Sequence, residues 1–198
     1  MAKIKLTKNE LKKQKDDLKR FNRYLPTLIL KKQQLQMEIQ KVEHQHLEKQ
    51  QELNRLKEKV SVWVDVFGEE VDIENLVKLK TINTDLGNVA GIDIPIYTGV
   101  EFEDISYDLF YIPLWVDAAV NELIKIYEIS AEMKVLDEQI QLLREELRIT
   151  SQRVNLFEKV KIPESRRNIR VIQIFLGDQQ TAAVVRGKIS KNKIVRVQ

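Results

Sequence analysis

The sequence has no cysteine at all, few residues that turn a chain, and no long apolar run. Without cysteine there is no disulfide framework, no thiolate metal site and no thiol nucleophile, and the absence fits a reducing compartment. Six glycines and four prolines in 198 residues are too few for a chain that folds back on itself many times. Aromatics are only 7% and charged residues 32%, with Lys, Glu, Leu and Gln abundant, a balance that points to long helices rather than a globule. No stretch approaches the ~20 apolar residues of a transmembrane helix, and "MAKIKLTKNELKKQKDD" has no apolar segment of a signal peptide. The expectation is a soluble chain that could work beside a membrane without inserting into it.

What is there is periodicity. From Leu11 the positions Gln14, Leu18, Phe21, Leu25, Leu28, Lys32, Leu35, Ile39, Val42, His46, Lys49, Leu53, Leu56, Val60, Trp63 and Phe67 follow in alternating steps of three and four. Such a ladder predicts a coiled-coil seam over about Thr7–Phe67, roughly 90 Å of helix at ~1.5 Å per residue. Thr7 and Glu10 form a capping box at its start, and Gly68 is a natural stop. Pro26 sits in the middle of it, where a proline costs roughly 3 kcal/mol or more.

A second ladder starts behind Pro113, which suits a first helical turn: Ile112, Trp115, Ala119, Glu122, Ile126, Ile129, Met133, Leu136, Ile140, Leu143, Leu147, Thr150, Val154, Phe157. Beyond Phe157 the apolar residues are Ile162, Ile169, Ile172 and Leu176, one position later than the ladder would continue, and the slip coincides with Pro163. "TAAVVRGKI" around Thr181–Ile189 is small-residue-rich and thin. Between the ladders, "GIDIPIYTGVEFE" at Gly91–Glu103 alternates apolar and polar, which predicts a hairpin near residues 91–103 with its turn at Tyr97–Gly99, and Pro95 confines it to an edge or an isolated ribbon. A short helix is expected over Ile73–Lys80.

The fold class that follows is mainly α. The N- and C-terminal helices form a long antiparallel, left-handed two-helix coiled coil, and a small middle region contains a β-hairpin. The parts are 1–68, 69–111 and 112–198. Taking helix 1 to end where helix 2 begins places Phe67 near Glu122, Leu11 near Asp178, and Pro26 opposite Pro163, so that both helices would bend at one level.

Charge is uneven. Residues 1–32 carry eleven Lys/Arg against three acids, residues 159–198 ten against two, and residues 65–138 four against seventeen. An antiparallel pair therefore gathers the basic ends at one tip, with Lys12, Lys13, Arg20, Arg23, Arg166, Arg167, Arg170, Arg186 and Lys188 as candidate contacts for an acidic partner, and Pro26 and Pro163 as candidate bend points. Aromatic stacking platforms are nearly missing from these ends, so a protein cavity fits better than nucleic acid. His44 and His46, two apart on one helix, do not face each other and cannot chelate one metal locally. Glu69/Glu70 and Glu145/Glu146 read as solvated faces. There is no phosphate loop, zinc-protease motif or nucleophile elbow, and no metal, cofactor or catalytic group is expected.

"LTKNELKKQKDDLKRFNRYLPTLILKKQQLQ" at Leu6–Gln36 resembles the N-terminal helix of the D subunits of V/A-type rotary ATPases. "NLFEKVKIPESRRNIRVIQIFLGDQQTAAVVRGKISK" at Asn155–Lys191 resembles their C-terminal helix, including the mid-helix Ile-Pro. The resemblance implies a non-catalytic central shaft. Its paired terminal helices would insert into a hexamer of A and B subunits. Its middle would bind the F subunit and seat on the funnel-shaped membrane-side subunit above the ion-carrying ring. It implies a cytoplasmic place, peripheral to the membrane. The competing reading from the residues alone is a stand-alone coiled-coil scaffold with basic tips that bind acidic partners or nucleic acid.

Overall fold

The computed structural model describes residues 4–61, 77–103, 113 and 115–197. In chain order the elements are helix α1 (Lys8–Ser61), strands β1 (Leu79–Val89) and β2 (Ile92–Phe102), helix α2 (Trp115–Asn155), a π-helical turn (Leu156–Lys161) and helix α3 (Ile162–Val197). They group into two compact units, one of Met1–Lys32 with Ile149–Gln198 and one of Gln33–Arg148. In both, the early and late segments pair antiparallel, with the heptad spacing of a two-helix coiled coil. Every ladder position from Leu11 to Val60 and from Trp115 to Phe157 is buried or half-buried. Trp63, Phe67 and Ile112 lie outside the described residues, as do Ile73–Leu76.

The unit of Gln33–Arg148 holds the two apolar clusters. In the larger, Leu35, Ile39 and Val42 of α1 meet Leu136, Ile140 and Leu143 of α2, and Ile94 of β2 closes the cluster with Val89, Ala90 and Ile92 packed beside it. In the smaller, Val77 joins Val116 and Val120, flanked by Phe102, Trp115 and Tyr127. The ribbon thus covers a seam that two helices alone would leave half open. The pairs that bridge the helices in antiparallel order include Arg144–Glu43 at 2.6 Å, His46–Asp137 at 3.2 Å and Lys49–Glu132 at 3.0 Å.

The hairpin is where expected, but its turn is not. The chain reverses at Ala90 and Gly91, both at positive φ (52° and 78°), the backbone of a tight primed hairpin turn. Asn88 secures it, accepting the Gly91 N–H at 3.2 Å and donating its amide to Asp93 at 2.7 Å. Tyr97–Gly99 lies inside β2 instead. Asn83 pairs with Gly99 and Thr84 with Tyr97, so Thr98 is the extra residue of a bulge, which the sequence pattern imitates as a turn. The helix expected over Ile73–Lys80 is also corrected, because Leu79 and Lys80 already belong to β1. Pro95 stands opposite Leu86 in a two-stranded ribbon, and its carbonyl accepts the Gln139 amide at 2.5 Å. A proline there has no N–H to satisfy, so one buried glutamine completes its polar needs.

In the unit of Met1–Lys32 with Ile149–Gln198 the seam is leaner and more polar. Phe21 stacks on Phe157 with ring centroids 5.3 Å apart, and Asn168 donates to Gln14 at 3.3 Å. These contacts place the pairing two to three helical turns from the one that sets Leu11 near Asp178, and Pro26 and Pro163 do not share a level. The one-position slip does have a structural cause. The Ile162 N–H reaches back five residues to the Phe157 carbonyl, the signature of a π turn, which inserts one residue into the helical count. Ile162, Ser165 and Ile172 are accordingly buried where an unbroken ladder would have put Lys161, Glu164 and Val171. Pro26 lies on an exposed side of α1.

Two stability outcomes follow. Leu143 is fully buried, so Leu143→Ala should destabilise by about 3–5 kcal/mol in urea melts, and Leu25→Ala, half-buried, by clearly less. Thr150 is 1% exposed and its hydroxyl has no hydrogen-bond partner. Replacing it with the isosteric Thr150→Val removes an unsatisfied buried group and should raise stability by about 1 kcal/mol or more. Destabilisation would show that the hydroxyl is satisfied.

Candidate partner-binding surfaces

All nine basic candidate residues, and both prolines, fall within Met1–Lys32 and Ile149–Gln198. The nine side chains are exposed. Lys12, Lys13 and Arg20 line a shallow hollow with Asn9, Asp16 and Asp17, and Arg20 pairs with Asp17 at 3.1 Å. The Gln14–Asn168 contact brings Lys12 and Lys13 level with Arg166, Arg167 and Arg170 on the facing helix. Arg20 and Arg23 flank Phe21, which stacks beside the π turn.

Arg186 and Lys188 are not part of that cluster. α1 begins at Lys8, six residues before Gln14, so its pairing with α3 ends near Ile174. From Gly177 to Val195 every residue but Ala182 is exposed. This segment carries Val184, Val185, Ile189, Ile194 and Val195 at 49–65% exposure among Arg186, Lys188, Lys191 and Lys193. Heptad spacing alone makes these valines and isoleucines look merely thin. Their signal is the alternation of β-branched residues with cations on a helix that runs on past the level where α1 begins. Exposed apolar side chains in a contiguous run mark an interaction site.

Among the described residues no three His, Asp or Glu side chains could hold a metal ion. His44 pairs with Glu48 at 3.4 Å and His46 with Asp137 at 3.2 Å, so the two histidines serve different partners. Among the described residues, one hollow is lined by Lys49, Glu132 and Tyr97 together with Val42, Ile94 and Leu136. What these surfaces offer chemically is charge and exposed apolar area for another protein.

The comparisons with known proteins agree in one direction. Residues 10–192 match the family described as the D subunit of ATP synthase. The chain is 54% identical to the V-type ATP synthase D subunit of Borreliella burgdorferi, over 99% of this chain and 97% of that protein. It is 34% identical to the V-type ATP synthase D subunit of Chlamydia pneumoniae, over 96% and 93% of the two chains. The chain belongs to the family of ATP synthase D subunits. The span matched by the family includes the hairpin and most of both basic terminal segments.

This member of the D-subunit group also carries an ion network on its other unit. Lys49 donates to Glu132, which raises the lysine above its ordinary value of 10.5 against the opposing effect of burial, with Glu52 adding to the rise. Burial, followed by the charges of Glu128 and Glu132, pushes the Tyr97 phenol up. On the ribbon, the Asn83 amide and then Lys80 hold Glu101 below the usual carboxylate range. A raised lysine contributes stability that is present below its unfolded value and lost as pH rises through its folded value. Urea melts should therefore show a fall in stability above pH 10.5 that Lys49→Met flattens. An unchanged alkaline limb would mean that the Lys49–Glu132 pair does not differ between folded and unfolded chains.

Proposed function

We propose that this chain is the central stalk of a V-type rotary ATPase. It transmits torque between a catalytic hexamer of A and B subunits and the membrane ion-translocating ring, and it catalyses nothing itself. The observation that carries the reading is the terminal pair, an antiparallel two-helix seam whose exposed cations and bare apolar C-terminal segment suit a protein cavity. Membership of the family of D subunits supports it, and the relatives' own names speak of V-type ATP synthases. Residues 1–68 and 112–198 act as the shaft helices and residues 69–111 as the region toward the membrane. Lys12, Lys13, Arg20, Arg23, Arg166, Arg167, Arg170, Arg186 and Lys188 face the hexamer. The acidic middle takes the small F subunit and seats on the membrane-side funnel. The chain works in the cytoplasm, held to the membrane by its complex. No helix among the described residues is long and apolar enough to cross a membrane.

A shaft that serves three catalytic sites in turn must present a different face to each, so asymmetry is part of its work. Pro26 and Pro163 supply it in this reading. Pro26→Ala restores a helix hydrogen bond and removes a residue disfavoured by about 3 kcal/mol in helix interiors. In the isolated chain it should be neutral or stabilising. In the reconstituted complex it should lower the ions transported per ATP hydrolysed. Deleting residues 1–8 with 186–198 should weaken coupling and leave binding of the F subunit intact. Full coupling in both variants would contradict the proposal.

A further inference from the structure

We propose that the π turn Leu156–Lys161 is a torsional joint, through which α3 passes between two seam phases one residue apart against the N-terminal part of α1. The joint belongs to one compact unit and does not rest on the shaft reading. In the observed phase the turn holds one extra residue, the Ile162 N–H bonds the Phe157 carbonyl, and Ile162, Ser165 and Ile172 are buried. Closing the turn to an ordinary α-helix would rotate α3 about its own axis by roughly 100°, one residue's worth of helical turn. Each buried place would then be taken by the preceding residue.

The sequence supplies a second set of occupants for those places. Lys161 would replace Ile162 and Glu164 would replace Ser165, and these two already form an ion pair along the helix at 3.9 Å. Asn168, already buried, would replace Ile169, Val171 would replace Ile172, and Phe175 would replace Leu176. Val171 is 46% exposed in the observed phase, an apolar residue facing water one step from a fully buried one. The observed phase is the ground state, because it buries Ile162 and Ile172 where the alternative offers Lys161 and Val171.

Pro163 lowers the barrier between the two. A proline N–H is missing whichever phase is adopted. In the α phase the Lys159 carbonyl lacks its donor, and in the π phase the Glu158 carbonyl does. Residue 163 therefore donates in neither state, and exchange has one backbone hydrogen bond fewer to break and remake. On the partner helix, Phe21 stacks on Phe157 at the start of the turn, upstream of every place that changes occupant, so the rotation leaves that contact in position. Register shifts of this kind run on the microsecond-to-millisecond scale.

The absence of cysteine makes the test direct. In the full chain, Gln14→Cys with Asn168→Cys reports the observed phase, and Gln14→Cys with Arg167→Cys reports the alternative. Under mild oxidation both disulfides should form, the second more slowly. Val171→Lys sits on the surface in the observed phase, so it should leave the first disulfide unchanged and slow the second at least about tenfold, equivalent to about 1.4 kcal/mol. Deleting Val160 removes the extra residue and should likewise suppress the second disulfide while circular dichroism shows the helices intact. If that deletion fails to fold, Val171→Lys alone decides. A 14–167 disulfide that never forms, or one whose rate ignores Val171→Lys, overturns the joint and leaves a fixed bulge.

Discussion

A helix with a single apolar stripe cannot keep that stripe in water, and everything in this molecule follows from two such stripes finding each other. Neither terminal helix has a core of its own. Leu35, Ile39 and Val42 become buried only because Leu136, Ile140 and Leu143 arrive from the other end of the sequence. The same need places the ribbon. Two helices leave one side of their seam open, and Ile94, with Val89 and Ile92 beside it, closes that side. In the unit of the chain ends, which contains no strand among its described residues, the α1 ladder residues are only half-buried and the facing positions include Thr150, Ser165 and Asn168. The two units thus solve one problem at different depths, one with an apolar core and one with a polar, thinner seam.

Most of this architecture can be read from residue spacing alone. Heptads carry their own period, so both ladders, their phase and even the one-residue slip after Phe157 are visible in the sequence. The slip's cause is not, because a proline and a π turn leave the same trace in a one-dimensional pattern. Register is legible only in direction. An antiparallel seam of leucines and isoleucines fits many offsets, and Phe21 chooses Phe157 through ring stacking that no spacing rule encodes. The hairpin shows the converse failure. "YTG" looks like a turn and "VAG" does not, yet the chain reverses at Ala90–Gly91 because Asn88 holds it there with two side-chain hydrogen bonds.

The candidate surfaces divide in the same way. Exposed cations can be named from charge counts, and all nine do stand exposed. Which of them stand together cannot, since that depends on where α1 stops facing α3. Pairing ends near Ile174, leaving Arg186 and Lys188 on a bare helix with Val184, Val185 and Ile189. A helix that exposes both cations and β-branched residues along its length is incomplete without another protein around it. That incompleteness, more than charge alone, links the fold to a place inside an assembly.

The claim that this chain is the turning element of a motor can be put to one observation. A single cysteine introduced at Leu86, the most exposed large apolar residue of the ribbon at 81%, would be the chain's only thiol and would carry a probe without touching either seam. With the A and B subunits fixed to a surface and the chain assembled among them, ATP should drive the probe round in one direction, and the motion should stop when ATP is removed. A probe that stays fixed in angle while the same complexes hydrolyse ATP would contradict the account.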